Sequence, residues 1–173
     1  MPRTVPAALW QARGGTMSTN RQHRTLAVPD IVRLVTGTEA MFVGLDYEDM
    51  TGLAAHIGEL YGEDRYCYFP SITRSWDYQH HGALAAACDL TVSVCQSIAH
   101  LAAAMGLETR VLAPKRVAWR YGLESETWYW YPHERARIYR QAERRVREGQ
   151  IGLDYPYERR ETKACVHVQT LAR

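Results

Sequence analysis

"DLTVSVCQSIAHLAAAMG", Asp89 to Gly106, is the stretch whose reading decides the fold. Leu90 to Val94 is a short run rich in β-branched residues, the pattern of a strand buried on both faces. A small polar turn follows, with Cys95 at its centre, and Ser97 to Met105 then carries apolar residues at helical spacing. "TRVLAP", Thr109 to Pro114, is a second buried run stopped by its proline. Strand, turn, helix and strand within so few residues make a crossover unit, and crossover units build parallel sheets.

Working outward, the same alternation continues in both directions. Upstream, Val5 to Trp10 is predicted as the first strand, then a polar loop, then a helix with Pro29 in its first turn, where a missing N–H costs nothing. "MFVGL", Met41 to Leu45, is predicted as a strand, Thr51 to Tyr61 as a helix, "RYCYF", Arg65 to Phe69, as a strand, and Ser75 as the cap of a helix running to Cys88. Downstream, "KRVAWRYGLESETWYWYPHERARIYRQ" is a long aromatic connection with a further strand at Arg137 to Tyr139. The expected fold is α/β, a single Rossmann-like domain with an open, mostly parallel sheet. That domain is expected over residues 1–141, followed by a basic C-terminal helix near Gln141 to Glu148 and a tail, residues 142–173.

Composition bounds the function. A chain of 173 residues fits one domain. A net charge of +2 gives no reason to expect a nucleic-acid partner. Cys67, Cys88, Cys95 and Cys165 form no C-x-x-C pair and suit reduced thiols in a cytoplasmic protein; no metal site is expected. "MPRTVPAALWQARGG" holds only a brief apolar run broken by Pro6, so neither export nor membrane insertion is expected.

In a parallel sheet, ligands bind outside the carboxyl ends of strands, where helix N-termini present unpaired N–H groups. Around Cys95, small side chains at Ser93 and Ser97 let a ligand approach, and the N–H groups of Gln96 to Ile98 suit an anion such as a diphosphate. His100, one turn on, is expected to be neutral and able to donate to an oxygen; a packed histidine accounts for it equally well. A rival reading makes Cys95 a nucleophile at a strand-to-helix elbow, with His133 or His167 as base, in a cysteine-dependent α/β hydrolase or amidotransferase.

The wider context resembles one family. His100-Leu101-Ala102 through Gly106, then Pro114, "WRYG" at Trp119 to Gly122, "WYP" at Trp130 to Pro132, and Arg140-Gln141 occur in the order seen in the C-terminal half of GT-B-fold glycosyltransferases. The similarity is to those related to ADP-heptose:lipopolysaccharide heptosyltransferases, and to their tetratricopeptide-linked bacterial members. Their pattern runs "HLAGALG", a proline-ended strand, "WRWG" or "WRYG", "WYP" and "RQ". The resemblance extends weakly upstream through "LWQARGGT" and "MFVGLDYED", covering Leu9 to Gln141.

It implies a donor site for a nucleotide-diphosphate sugar and no separate cofactor, with Cys95, Gln96, Ser97, His100 and Arg120 at the diphosphate. The heptosyltransferase branch carries Asp-Thr where Cys95 and Gln96 stand, so the sugar contact departs from the pattern. Arg13, Arg21 and Arg24 in the loop after the first strand are further candidates for phosphate, because guanidinium groups bind it in bidentate fashion; a solvated loop explains them nearly as well. Asp46 and Glu48 stand where carboxylates accept from ribose hydroxyls, or as plain surface charges. For the tryptophans, packing within the long loop is favoured over stacking on a base. GT-B enzymes work between two such halves, with the acceptor and base in the N-terminal one. Transfer to an acceptor hydroxyl is therefore expected only with a partner half or another subunit, the catalytic residues are unassigned, and a non-catalytic interaction domain is a further alternative.

Overall fold

The computed structural model describes residues 5–15, 21, 24–75, 77–122 and 125–141. Six strands form one sheet: β1 (Ala7–Gln11), β2 (Met41–Gly44), β3 (Tyr66–Tyr68), β4 (Leu90–Val94), β5 (Thr109–Ala113) and β6 (Ala136–Arg140). Their order is β3-β2-β1-β4-β5-β6, and every neighbouring pair is parallel. This is the doubly wound Rossmann-like arrangement, an open α/β sheet.

The helices are α1 (Val28–Thr36), α2 (Thr51–Tyr61), a short α3 (Pro70–Thr73), α4 (Tyr78–Ala87) and α5 (Ser97–Ala104). Side-chain alternation along β1 divides the core between the two faces of the sheet. Ala8 and Trp10 join Ile31, Leu34 and Val35 of α1 and Ile57 of α2 on one face. Ala7 and Leu9 join Leu84 of α4 and Ile98 of α5 on the other. Covered on both sides, β1, β2 and β4 are buried at every residue, which is why their sequences are apolar or small-residue runs, broken by Gln11 at the end of β1.

Several boundaries move from those expected. The first strand begins at Ala7, because Val5 is exposed while the Ala7 amide donates to Asp89 Oδ2 at 2.9 Å, and it continues to Gln11. Arg65 precedes β3 in a 3-10 turn, and its guanidinium donates to the Val35 carbonyl at the end of α1, at 2.6 Å. Ser75 does not cap α4. Asp77 does, accepting from the Gln79 amide at 2.8 Å, while Ser75 Oγ accepts from the Asp77 amide at 3.0 Å. Residues 142–173, with the predicted basic helix and tail, lie outside the described residues, as do Cys165 and His167.

The long connection from β5 to β6 contains no α-helix among its described residues. Its place is taken by a 3-10 turn, Trp119–Tyr121, and by rings. Trp128 is fully buried, stacks on Tyr121 at 5.2 Å between centroids, and meets Tyr131 edge-on at 4.8 Å. Beyond β6 the same connection folds back: Thr127 forms an antiparallel bridge with Arg137, and the Ile138 amide donates to the Glu126 carbonyl at 2.8 Å.

Candidate functional site

The chain builds β1, β2 and β3 outward in one direction, then returns to lay β4 on the other side of β1. The switch point of the strand order thus lies between β1 and β4, and the crevice at their carboxyl ends is the usual ligand position in open α/β sheets. Its floor is held by three contacts. Gln96 Nε2 donates to the Arg13 carbonyl at 3.0 Å, the Arg13 amide donates to Asp46 Oδ1 at 2.8 Å, and Arg24 Nη1 donates to the Cys95 carbonyl at 3.2 Å. Gly14 lets the two loops meet: a Cβ there would lie 3.0 Å from Val94 Cγ2 and 3.1 Å from the Arg24 carbonyl.

The α5 helix starts at this crevice. Its N-cap, Gln96, is extended and makes no side-chain cap, having turned its amide to the β1 loop. The first-turn N–H groups thus carry no side-chain acceptor, the condition for an anion to serve as cap. Around the same point Arg24 of the β1–α1 loop, Arg120 of the β5–β6 connection and Arg140 at the end of β6 place positive charge on Cys95. Among the described residues no carboxylate pairs with Arg120 or Arg140. Arg120 lies over the Tyr121 ring at 5.4 Å, and Arg140 donates to the Tyr121 and Ser125 carbonyls at 3.0 and 2.8 Å.

The other candidates sort by their surroundings. Arg13 and Arg21 both pair with Glu48, whose single charge offsets one of their two. Asp46 is fully buried and both its oxygens accept from backbone, Oδ2 from the Ala12 amide at 3.4 Å, which leaves no face for a ribose. Burial pushes its carboxyl up to about 7, against the opposing Ala12 hydrogen bond and the Arg21 charge. His100 is packed rather than free: its ring lies 4.6 Å from Trp128 and 5.3 Å from Tyr121, and Nδ1 shares a hydrogen bond with the Tyr131 hydroxyl at 3.1 Å. Burial, with Arg120 assisting, holds its pKa below the ordinary value and keeps it neutral.

Cys95 is 1% exposed, and burial pushes its thiol up to about 12 in spite of the three arginines. Desolvation outweighs the favourable charge of the helix N-terminus, and a thiol held protonated is a poor nucleophile. His133, offered as its base, instead shares a hydrogen bond with the Ala103 carbonyl at 2.9 Å, behind α5.

The tryptophans divide. Trp128 packs, with Nε1 donating to the Arg120 carbonyl at 3.0 Å, whereas Trp119 and Trp130 are 74% and 58% exposed and meet edge-to-face at 6.0 Å. Four residues near the crevice carry no expectation from the sequence as ligands: Gln11, Tyr47, Tyr78 and Arg140. A polar residue ending a buried strand, as Gln11 does, was the available signal. Among the described residues no cluster of histidine, cysteine or carboxylate side chains suits a metal, and no helix is long and apolar enough to cross a membrane. Comparison with protein-family models, curated proteins and solved structures finds no match to this chain.

Proposed function

We propose that this domain binds a nucleotide-diphosphate sugar and serves as the donor-holding half of a glycosyltransferase resembling the GT-B heptosyltransferases. The observation that carries the reading is the meeting, at the sheet's switch point, of an α5 N-terminus without a side-chain cap and the charges of Arg24, Arg120 and Arg140. A diphosphate is an anion that suits a helix N-terminus flanked by guanidinium groups. In transfer, the bond from the sugar's anomeric carbon to the diphosphate breaks as the acceptor oxygen bonds to that carbon. Fixed cations at the departing diphosphate stabilise the charge that develops there. The base that takes the acceptor proton comes from a partner half.

Calorimetric titration with ADP, UDP and GDP at low salt is the test. At least one diphosphate is expected to bind and to raise Tm, since a ligand specific to the native state stabilises it by mass action. Arg120→Ala is expected to weaken that diphosphate about 10- to 100-fold, the range for a charged hydrogen bond, with little effect on the corresponding nucleoside. Absence of binding by all three at millimolar concentration overturns the reading. It would favour an interaction domain instead, for which exposed Trp119, Tyr129 and Trp130 are the motivating surface.

A further inference from the structure

Beside the α5 N-terminus, on residues from β1, the β2–α2 loop and α4, lies an uncharged polar cluster. Tyr78 donates its hydroxyl to Ser97 Oγ at 3.0 Å, and the Tyr47 phenol lies beside both hydroxyls. Gln11, the last residue of β1, is 1% exposed and lies beside the Tyr47 phenol, within its electrostatic reach but short of a well-formed hydrogen bond from either polar atom of the amide. A buried carboxamide left in this state costs free energy unless a ligand completes it. Tyr47 and Tyr78 are each about half exposed, so the cluster is reachable. Burial raises the Tyr47 phenol above its ordinary range, so it remains a neutral donor at physiological pH.

The turn where the resemblance puts the sugar contact does not present one. Cys95 is buried, and the Gln96 side chain is committed to the Arg13 carbonyl. We infer that Gln11, Tyr47, Tyr78 and Ser97 form the glycosyl subsite, holding the sugar hydroxyls beside Ser97 while the diphosphate faces Arg24, Arg120 and Arg140. Three hydroxyls and an amide, with no charge, match a polyol ring, which offers donors and acceptors in alternation. The exposed rings of Trp119 and Trp130, next to Arg120, leave the flat nucleobase to the arginine side.

This inference rests on the donor-binding reading, and the two fail differently. Affinities of ADP, UDP and GDP are to be compared with those of ADP-glucose, UDP-glucose and GDP-mannose. The sugar is expected to tighten binding of the preferred nucleotide about tenfold. Tyr47→Phe and Tyr78→Phe, each of which removes one hydroxyl and keeps the ring, are expected to reduce that gain about three- to tenfold and to leave the bare diphosphate within about twofold. Melting curves of both variants check that the fold is kept. A diphosphate that binds while its sugar adds nothing, or variants that weaken both ligands alike, overturns the subsite alone. Failure of every diphosphate overturns the donor reading and the subsite together.

Discussion

Asp46 shows what a buried carboxyl does at such a crevice. Its folded pKa of about 7 stands above the ordinary value of 3.8, so between these the native state holds a proton that the unfolded chain releases. The stabilisation is complete below pH 3.8 and is lost as pH rises to about 7. Melting temperature measured from pH 4 to 8 is expected to carry a downward contribution that Asp46→Asn removes, visible as a wild-type minus variant difference that shrinks with pH. The variant itself should melt lower, because the Asn nitrogen cannot accept from an amide as Oδ2 accepts from Ala12. A difference independent of pH would assign the titration elsewhere. Desolvation is also what a sequence conceals: Asp46 and Cys95 were visible as residues at strand ends, but whether they face solvent is decided by distant packing.

At the scale of elements, two glycines distinguish a general from a particular need. Gly106 (φ 72°) ends α5, where its amide donates to the Ala103 carbonyl and that of Leu107 to the Ala102 carbonyl, both at 3.0 Å. Nothing lies within 4 Å of a Cβ placed there. Gly122 (φ 67°, ψ 175°) occupies a region open to little but glycine, and a Cβ would stand 2.9 Å from Tyr129 Cε2. Gly106→Ala is expected to cost about 1 kcal/mol, and Gly122→Ala about 2–3 kcal/mol from added strain. Only the second should alter tryptophan fluorescence and near-ultraviolet dichroism, by moving the ring cluster. Equal losses, with unchanged spectra, would contradict this account. The strands and α2 were legible because strands covered on both faces leave continuous apolar runs and helices leave apolar residues at helical spacing. The cap at Asp77 and the helix α3 were not, since Ser75 and Asp77 both satisfy local rules and only the packed chain chooses. Of the spaced motifs, "WRYG", "WYP" and Arg140 were visible singly. Their convergence around Trp128 and His100 depends on β6 joining the sheet.

For the whole molecule, stability should grade outward from the centre of the sheet. β1 is paired on both sides, with Ala8 to Gln11 in register with Leu90 to Ser93 of β4, and it is covered by helices on both faces. Native-state hydrogen exchange is expected to leave the amides of β1 and β4 last to exchange, and those of β3, only three residues long, among the first of the sheet. Exchange of β1 as fast as β3 would show that the sheet does not unfold from its margins.

The return of residues 126 and 127 onto β6 has a further consequence. Parallel sheets in open folds end in strands whose outer N–H and C=O groups can template another chain, and exposed templates promote aggregation. Here the margin beyond β6 is occupied by the connection that leads into it, through the Thr127–Arg137 bridge and the Ile138 to Glu126 hydrogen bond. The opposite margin, β3, offers only Tyr66 to Tyr68. Among the described residues a second copy or a stray peptide thus finds little backbone to extend on either side, so self-association by strand addition is discouraged there.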